Sequence, residues 1–125
     1  MTNLMVKKLS LNILPHDFKE ISSALQLKLE LLTKHVLFDQ NLDRLTVNLK
    51  VVSSNEMIKL NADFRSKELD TNVLSFPASK DMQKISGELG DIVMSLPFIK
   101  KESQNLNRDL EDHMMHLLAH GILHL

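Results

Sequence analysis

The segment Leu45-Thr46-Val47-Asn48-Leu49-Lys50-Val51 sets an apolar side chain at every odd position and a polar one at every even position. A period of two is that of a strand with one face in a core and the other toward water. Working outward, Ser53 and Glu56 have the spacing of a capping box and open a short helix whose apolar face carries Met57, Leu60 and Phe64. On the other side, Asp39, Gln40 and Asn41 form a polar connection to a helical pattern. In it Phe18, Ile21, Leu25, Leu29, Leu32 and Val36 recur at steps of three and four, with Asp17 and Glu20 as a looser capping pair. Before it, Leu9, Leu11 and Ile13 alternate with Ser10 and Asn12 until Pro15 breaks the strand.

Toward the C-terminus, the charged loop RSKELDTN (65–72) leads to a compact strand, VLSF (73–76), closed by Pro77. Residues 78–87 are polar, end in Gly87 and read as an exposed loop. A strand follows from Leu89 to Leu96, then a short helix with Pro97 in its first turn. A final helix is capped by Asn105 and runs from about Leu106 to Leu125. Strand, helix, strand, helix, strand, strand, helix, helix describes a single α+β domain, with about four strands in a mixed sheet packed by helices.

Composition narrows the function classes. With 125 residues the chain fits one domain, and with no cysteine it has neither disulfides nor thiolate metal sites, in keeping with a reducing cytoplasm. No apolar run approaches the ~18 residues that span a bilayer, and the lysines at 7 and 8 sit inside an alternating pattern rather than ahead of an apolar block. Fifteen basic residues against sixteen acidic ones leave a formal charge of −1, so no whole-molecule basic field grips nucleic acid. Any RNA contact would rest on local pairs, Arg65 with Lys67 or Lys100 with Lys101. Five Phe and no Trp or Tyr argue against base-stacking platforms.

The last ten residues, HLLAHGILHL, carry histidines at 116, 120 and 124. At ~100° per residue, His113, His116, His120 and His124 share an arc of roughly 80°, and Asp109 falls inside it. Met114, Leu117, Leu118, Ile122 and Leu125 take the other side and should face the core. Such an arc serves either as a solvated polar face or as a metal site. Histidines at i and i+4 stand one turn apart and can share an ion. His116 and His124 are two turns, ~12 Å, apart, so all three are not expected on one ion. Gly121 costs the helix ~1 kcal/mol against alanine, which marks a close backbone approach. The stretch HGILH lacks the glutamate base of HExxH, which disfavours a zinc peptidase.

Three ordered blocks resemble the YbeY family of bacterial endoribonucleases. His120, Gly121, Leu123, His124 and Leu125 match the start of its signature HGxLHLxGYDH, with Ile122 at the variable position. LNADFRSKELDTNVLSFP (60–77) is similar to the family block LNxxYRxKDxPTNVLSFP, and ELGDIVMS (88–95) to its LGDIVI strand. The resemblance implies a zinc-dependent, single-strand-specific endoribonuclease acting in small-subunit rRNA 3′-end maturation and ribosome quality control. Its partners would be single-stranded RNA and the ribosomal small subunit in the cytoplasm, with no membrane and no DNA. By position, His120 and His124 would be zinc ligands, one ion per chain, and Arg65 the catalytic residue facing phosphate. His116 matches a further histidine of some members and is not assigned as a ligand.

The family's third histidine falls six residues after His124, so residues 1–125 are expected to form the domain without the GYDH turn and the last helix. Catalytic zinc normally takes three protein ligands, and with two its affinity is expected to fall by orders of magnitude. His113, Asp109 and Asp91 are the candidates within the chain for a third, a partner chain being another source. The alternative function is that of a catalytically impaired homologue, an RNA- or ribosome-associated binding module or a non-functional fragment. Ser66 stands where the family commonly has glycine, and Asp70 where it has proline.

Overall fold

The computed structural model describes residues 9–125, so the lysines at 7 and 8 lie outside the described residues. In chain order the elements are β1 (Leu11–Ile13), α1 (Ser23–Asp39), β2 (Thr46–Val52), α2 (Ser54–Arg65) and β3 (Val73–Pro77). They continue with α3 (Lys80–Ser86), β4 (Glu88–Ser95), α4 (Leu96–Asn105) and α5 (Leu110–Leu123). The four strands form one sheet in the order β1-β2-β4-β3; β1 and β4 run parallel to β2, and β3 runs antiparallel to β4 at the edge. The expected α+β class with a mixed sheet holds.

The alternation in β2 does what its period requires. Leu45, Val47, Leu49 and Val51 all enter one core with Leu25, Leu29 and Leu37 of α1, Ile92 and Met94 of β4, and Met114, Leu118 and Ile122 of α5. Val52, Met57, Leu74 and Val93 form a smaller core under α2 on the opposite face of the sheet. Fully burying side chains of this size is worth roughly 1.5–3 kcal/mol each, so the larger core decides which face α5 must cover.

Local signals and packing disagree at four places. Asp17 does not cap α1: the helix starts after Ser22, whose hydroxyl accepts from Leu25 N–H at 3.1 Å. Phe18 and Ile21 still reach the core, but from a turn closed by Ile21 N–H on the Phe18 carbonyl. Residues 80–86 are a helix, not a loop, capped by Ser79 and ended by Gly87 at φ +74°. Asn105 belongs to α4, and Asp109 caps α5 by accepting from Asp112 N–H at 3.2 Å. Phe64, expected on the buried face of α2, is 65% exposed and meets Phe76 edge-on with ring centroids 5.0 Å apart.

The capping reading at Ser53 holds for its first half: the hydroxyl accepts from Glu56 N–H at 3.3 Å, while the Glu56 carboxylate pairs with Lys50 at 2.7 Å. Helix α2 stops at Ser66, which adopts the left-handed conformation at φ +58° and donates its N–H to the Ala62 carbonyl. An L-residue with a β-carbon pays ~1–2 kcal/mol there and glycine does not. Ser66→Gly should therefore raise stability by about 0.5–1 kcal/mol, read from a higher urea midpoint at unchanged m.

Gly121 lets α5 lie against the sheet. A β-carbon there would stand 3.2 Å from Ile92 Cδ1 and from Ser75 Oγ, and the Ser75 hydroxyl donates to the Gly121 carbonyl at 2.9 Å. Gly121→Val places branched atoms in that contact and should cost about 1–3 kcal/mol of overpacking, measured by denaturant unfolding.

At the other end of α5, His113 is 3% exposed and its Nε2 lies 2.7 Å from Glu102 Oε1 of α4. It therefore does not share the solvated arc with the other three histidines, because α4 covers this end of the helix. Burial pushes the Glu102 carboxyl up, but hydrogen bonds from His113 and Asn72, with the Arg108 charge nearby, outweigh it and hold it below its ordinary value. A carboxyl with a depressed folded-state pKa adds stability that is present above its unfolded pKa and lost as pH falls through the folded one. The gap in unfolding free energy between the wild type and Glu102→Gln should thus be widest near neutral pH and narrow on acidification. Unfolding curves across that range check it.

Candidate functional site

Three segments meet along the edge strand β3. Arg65 ends α2, Thr71 to Ser75 lead into and form β3, and His116, Leu117, His120, Gly121 and His124 come from α5; together they line a cleft of about 560 Å³. Helical spacing puts the histidines on one side of α5 while Met114, Leu118 and Ile122 are buried on the other, as the wheel requires. Ser75 and Val73 point to the α5 face of β3, because their neighbours Leu74 and Phe76 pack under α2.

His120 and His124 turn their rings toward each other. Their Nε2 atoms are 3.2 Å apart, with ring centroids 4.5 Å apart and planes at 68°. Two nitrogens bound to one tetrahedral zinc at ~2.0–2.1 Å must lie about 3.3–3.4 Å from each other, so the spacing of the pair is close to the one an ion requires. Both residues are exposed, so an ion can reach them from solvent. Among the described residues no three His, Cys, Asp or Glu side chains come together as a metal-binding group.

The in-chain candidates for a third ligand are each engaged elsewhere. Asp109 caps α5 and His113 is buried on Glu102. Asp91 pairs with Phe76 across β3 and β4 and so lies on the α2 face of the sheet, accepting from Asn48 Nδ2 at 3.0 Å. It lines a separate groove of about 660 Å³ with Phe64 and Phe76, remote from the histidines.

Arg65 is exposed and makes no ion pair or hydrogen bond among the described residues. The nearby carboxylates do not engage it: that of Asp70 accepts from Thr71 N–H at 2.9 Å, and Glu68 lies on the outer side of α2 beside Glu56 and Lys59. A guanidinium in this state offers a planar, bidentate donor set to a phosphate entering the cleft. Of the other basic candidates, Lys100 pairs with Glu20 at 2.8 Å, away from the cleft, and Lys67 does not line it.

The three residues singled out in the sequence, Arg65, His120 and His124, therefore share one cleft. His116, already on the same arc of the wheel, lines it as well, together with Thr71, Asn72 and Ser75, which periodicity did not mark. For these three, only membership in the 60–77 block carried a signal.

A model of the family described as Endoribonuclease YbeY matches residues 11–125. Among individual proteins, the chain is 37% identical over 83 residues to Endoribonuclease YbeY of Dichelobacter nodosus, covering 66% of this chain and 54% of that protein. It is 31% identical over 94 residues to the one of a Sulfurihydrogenibium species, covering 75% and 62%. The chain thus spans little more than half the length of such relatives. The solution structure of TM1509 from Thermotoga maritima superposes with a TM-score of 0.65 at 25% identity, covering 92% of this chain and 71% of that one. The signature pair on α5, the arginine ending α2 and the match over residues 11–125 agree: the chain belongs to the YbeY family of endoribonucleases.

Proposed function

We propose that this chain is a zinc-dependent endoribonuclease that cuts single-stranded RNA, acting on small-subunit rRNA 3′ ends and in ribosome quality control in the cytoplasm. The observation that carries the reading is the 3.2 Å approach of the His120 and His124 Nε2 atoms in the cleft that Arg65 also lines. Each residue then has a defined task. His120 and His124 would offer their Nε2 atoms from one rigid helix, so little side-chain order has to be gained when an ion binds. Arg65 clamps two non-bridging oxygens of the phosphate and orients the phosphodiester over the histidine pair. The edge strand and α5 form the walls of the cleft. His120 and His124 would hold a divalent ion, which when bound would supply positive charge to acidify water and offset charge developing at phosphorus.

The alternative reading is an RNA- or ribosome-binding module without catalysis. Metal analysis and cleavage assays separate the two. The nuclease reading expects about one zinc per chain, weakened on the order of a hundredfold or more in His120→Ala and in His124→Ala. It also expects single-stranded RNA to be cut in preference to duplex, and Arg65→Lys to lose at least about tenfold in kcat/KM because an ammonium does not bridge two oxygens. Protein that takes up no metal and leaves single-stranded RNA intact while still binding it would establish the second reading.

A further inference from the structure

Behind the cleft wall lies a polar chain that neither the metal pair nor Arg65 uses. Arg108 Nη1 is 3.4 Å from His113 Nδ1, His113 Nε2 is 2.7 Å from Glu102 Oε1, and Asn72 Nδ2 donates to the same oxygen at 3.1 Å. The proton positions follow from donor chemistry. A guanidinium only donates, so His113 Nδ1 holds the lone pair and Nε2 carries the hydrogen that Glu102 receives. Asn72 must then turn its Nδ2 to the carboxylate, which leaves Oδ1 to accept from Val73 N–H at 2.7 Å. Its backbone carbonyl takes Ser95 N–H from the end of β4 at 3.1 Å. Asn72 is thus held at three atoms, and it lines the cleft between Arg65 and the histidines.

The span it anchors has few other restraints. Between the end of α2 and the start of β3, residues 66–72 carry no regular structure. The α2 side is tied down by Asn61, whose Nδ2 donates to the Leu69 carbonyl at 2.8 Å and whose own carbonyl takes Lys67 N–H at 3.3 Å. The β3 side is tied down through Asn72. A segment with so little ladder bonding takes its rigidity from such anchors, and a site wall must hold its geometry within about 0.5 Å to be useful.

We propose that Glu102 is a positioning residue: held by His113, it fixes Asn72 and thereby the Thr71–Val73 part of the RNA-binding cleft wall, where the chain enters the β3 ladder. The RNA half of this claim rests on the nuclease reading above; the positioning half does not. Glu102→Gln keeps the shape but exchanges an acceptor of two hydrogen bonds for a weaker, ambiguous one. Asn72→Ala cuts the link while leaving the His113–Glu102 pair between α4 and α5 intact.

Amide hydrogen exchange on the whole chain tests the positioning. Both variants should speed exchange at residues 71–73 by about tenfold or more, with β2 and α1 within about twofold of wild type. Unchanged exchange at 71–73 overturns the proposal. Affinity for a fluorescent single-stranded oligoribonucleotide, measured as a double-mutant cycle, tests the consequence. Each substitution should weaken binding by about five- to tenfold, and the double variant should bind no more weakly than Asn72→Ala alone, since both act through one bond. Effects that multiply in the double variant, or RNA affinity indifferent to a loosened wall, also overturn it. If the wild-type chain binds no oligoribonucleotide, the nuclease reading falls, and the exchange result still decides whether Glu102 sets the wall.

Discussion

The close seating of α5 on the sheet at Gly121 is the contact on which the rest of the site depends. With no β-carbon at this position, Ser75 Oγ comes within 2.9 Å of the Gly121 carbonyl and Ile92 packs beneath the helix. This fixes both the depth and the rotation of α5. Rotation is what matters for chemistry, because His120 immediately precedes the glycine and His124 lies one turn later. Their orientation toward the cleft is inherited from the buried side, where Met114, Leu118 and Ile122 fill the core. Hydrocarbon packing on one face of the helix thus sets the direction of the imidazoles on the other.

Two histidines of the same helix show how context decides what one side chain does. His113 and His120 are seven residues apart and nearly eclipsed on a wheel, yet the first is buried on a carboxylate and the second faces solvent beside His124. The wheel treats a helix as having one environment along its length. Here α4 covers only the N-terminal part, so the polar arc divides into a buried half that joins helices and an open half that can take a ligand. The open half could be read in the residues, since HxxxH places two rings a turn apart in any helix. The buried half could not, because it depends on where a neighbouring helix ends.

Legibility elsewhere follows the same division between local and nonlocal causes. The β2 alternation and the Ser53 cap are set by the residues that make them, and both stand in the structure. The start of α1 was misplaced because Phe18 and Ile21 satisfy the helical spacing, whereas a turn delivers the same two side chains to the core. Helix α3 escaped notice because it buries no residue and so has no apolar period; its only signals are Ser79 and Gly87 at its ends. Phe64 has the right spacing for a core position, but the sheet beneath it is an open groove. Asp109, Asp91 and His113 looked alike as potential ligands, and only the fold shows each already occupied with a different partner.

The three walls of the cleft are held by residues that carry none of its chemistry. Ser66, in a left-handed conformation, ends α2 directly after Arg65, so the guanidinium projects from a helix terminus rather than lying along a helix side. Asn72 leads into β3 under the hold of Glu102, and Gly121 seats α5. Each is a backbone device: one turns the chain, one anchors it, one lets it approach. A phosphate clamp and a metal pair contributed by separate elements must keep their spacing to a fraction of an ångström for both to act on one phosphodiester. Side chains as long as arginine cannot supply that constancy themselves, since they carry ~2 kcal/mol of rotamer entropy. The constancy has to come from the ends and seats of the elements that bear them, which is why the positions bordering Arg65 and His120 are as confined by the fold as the functional residues are by their chemistry.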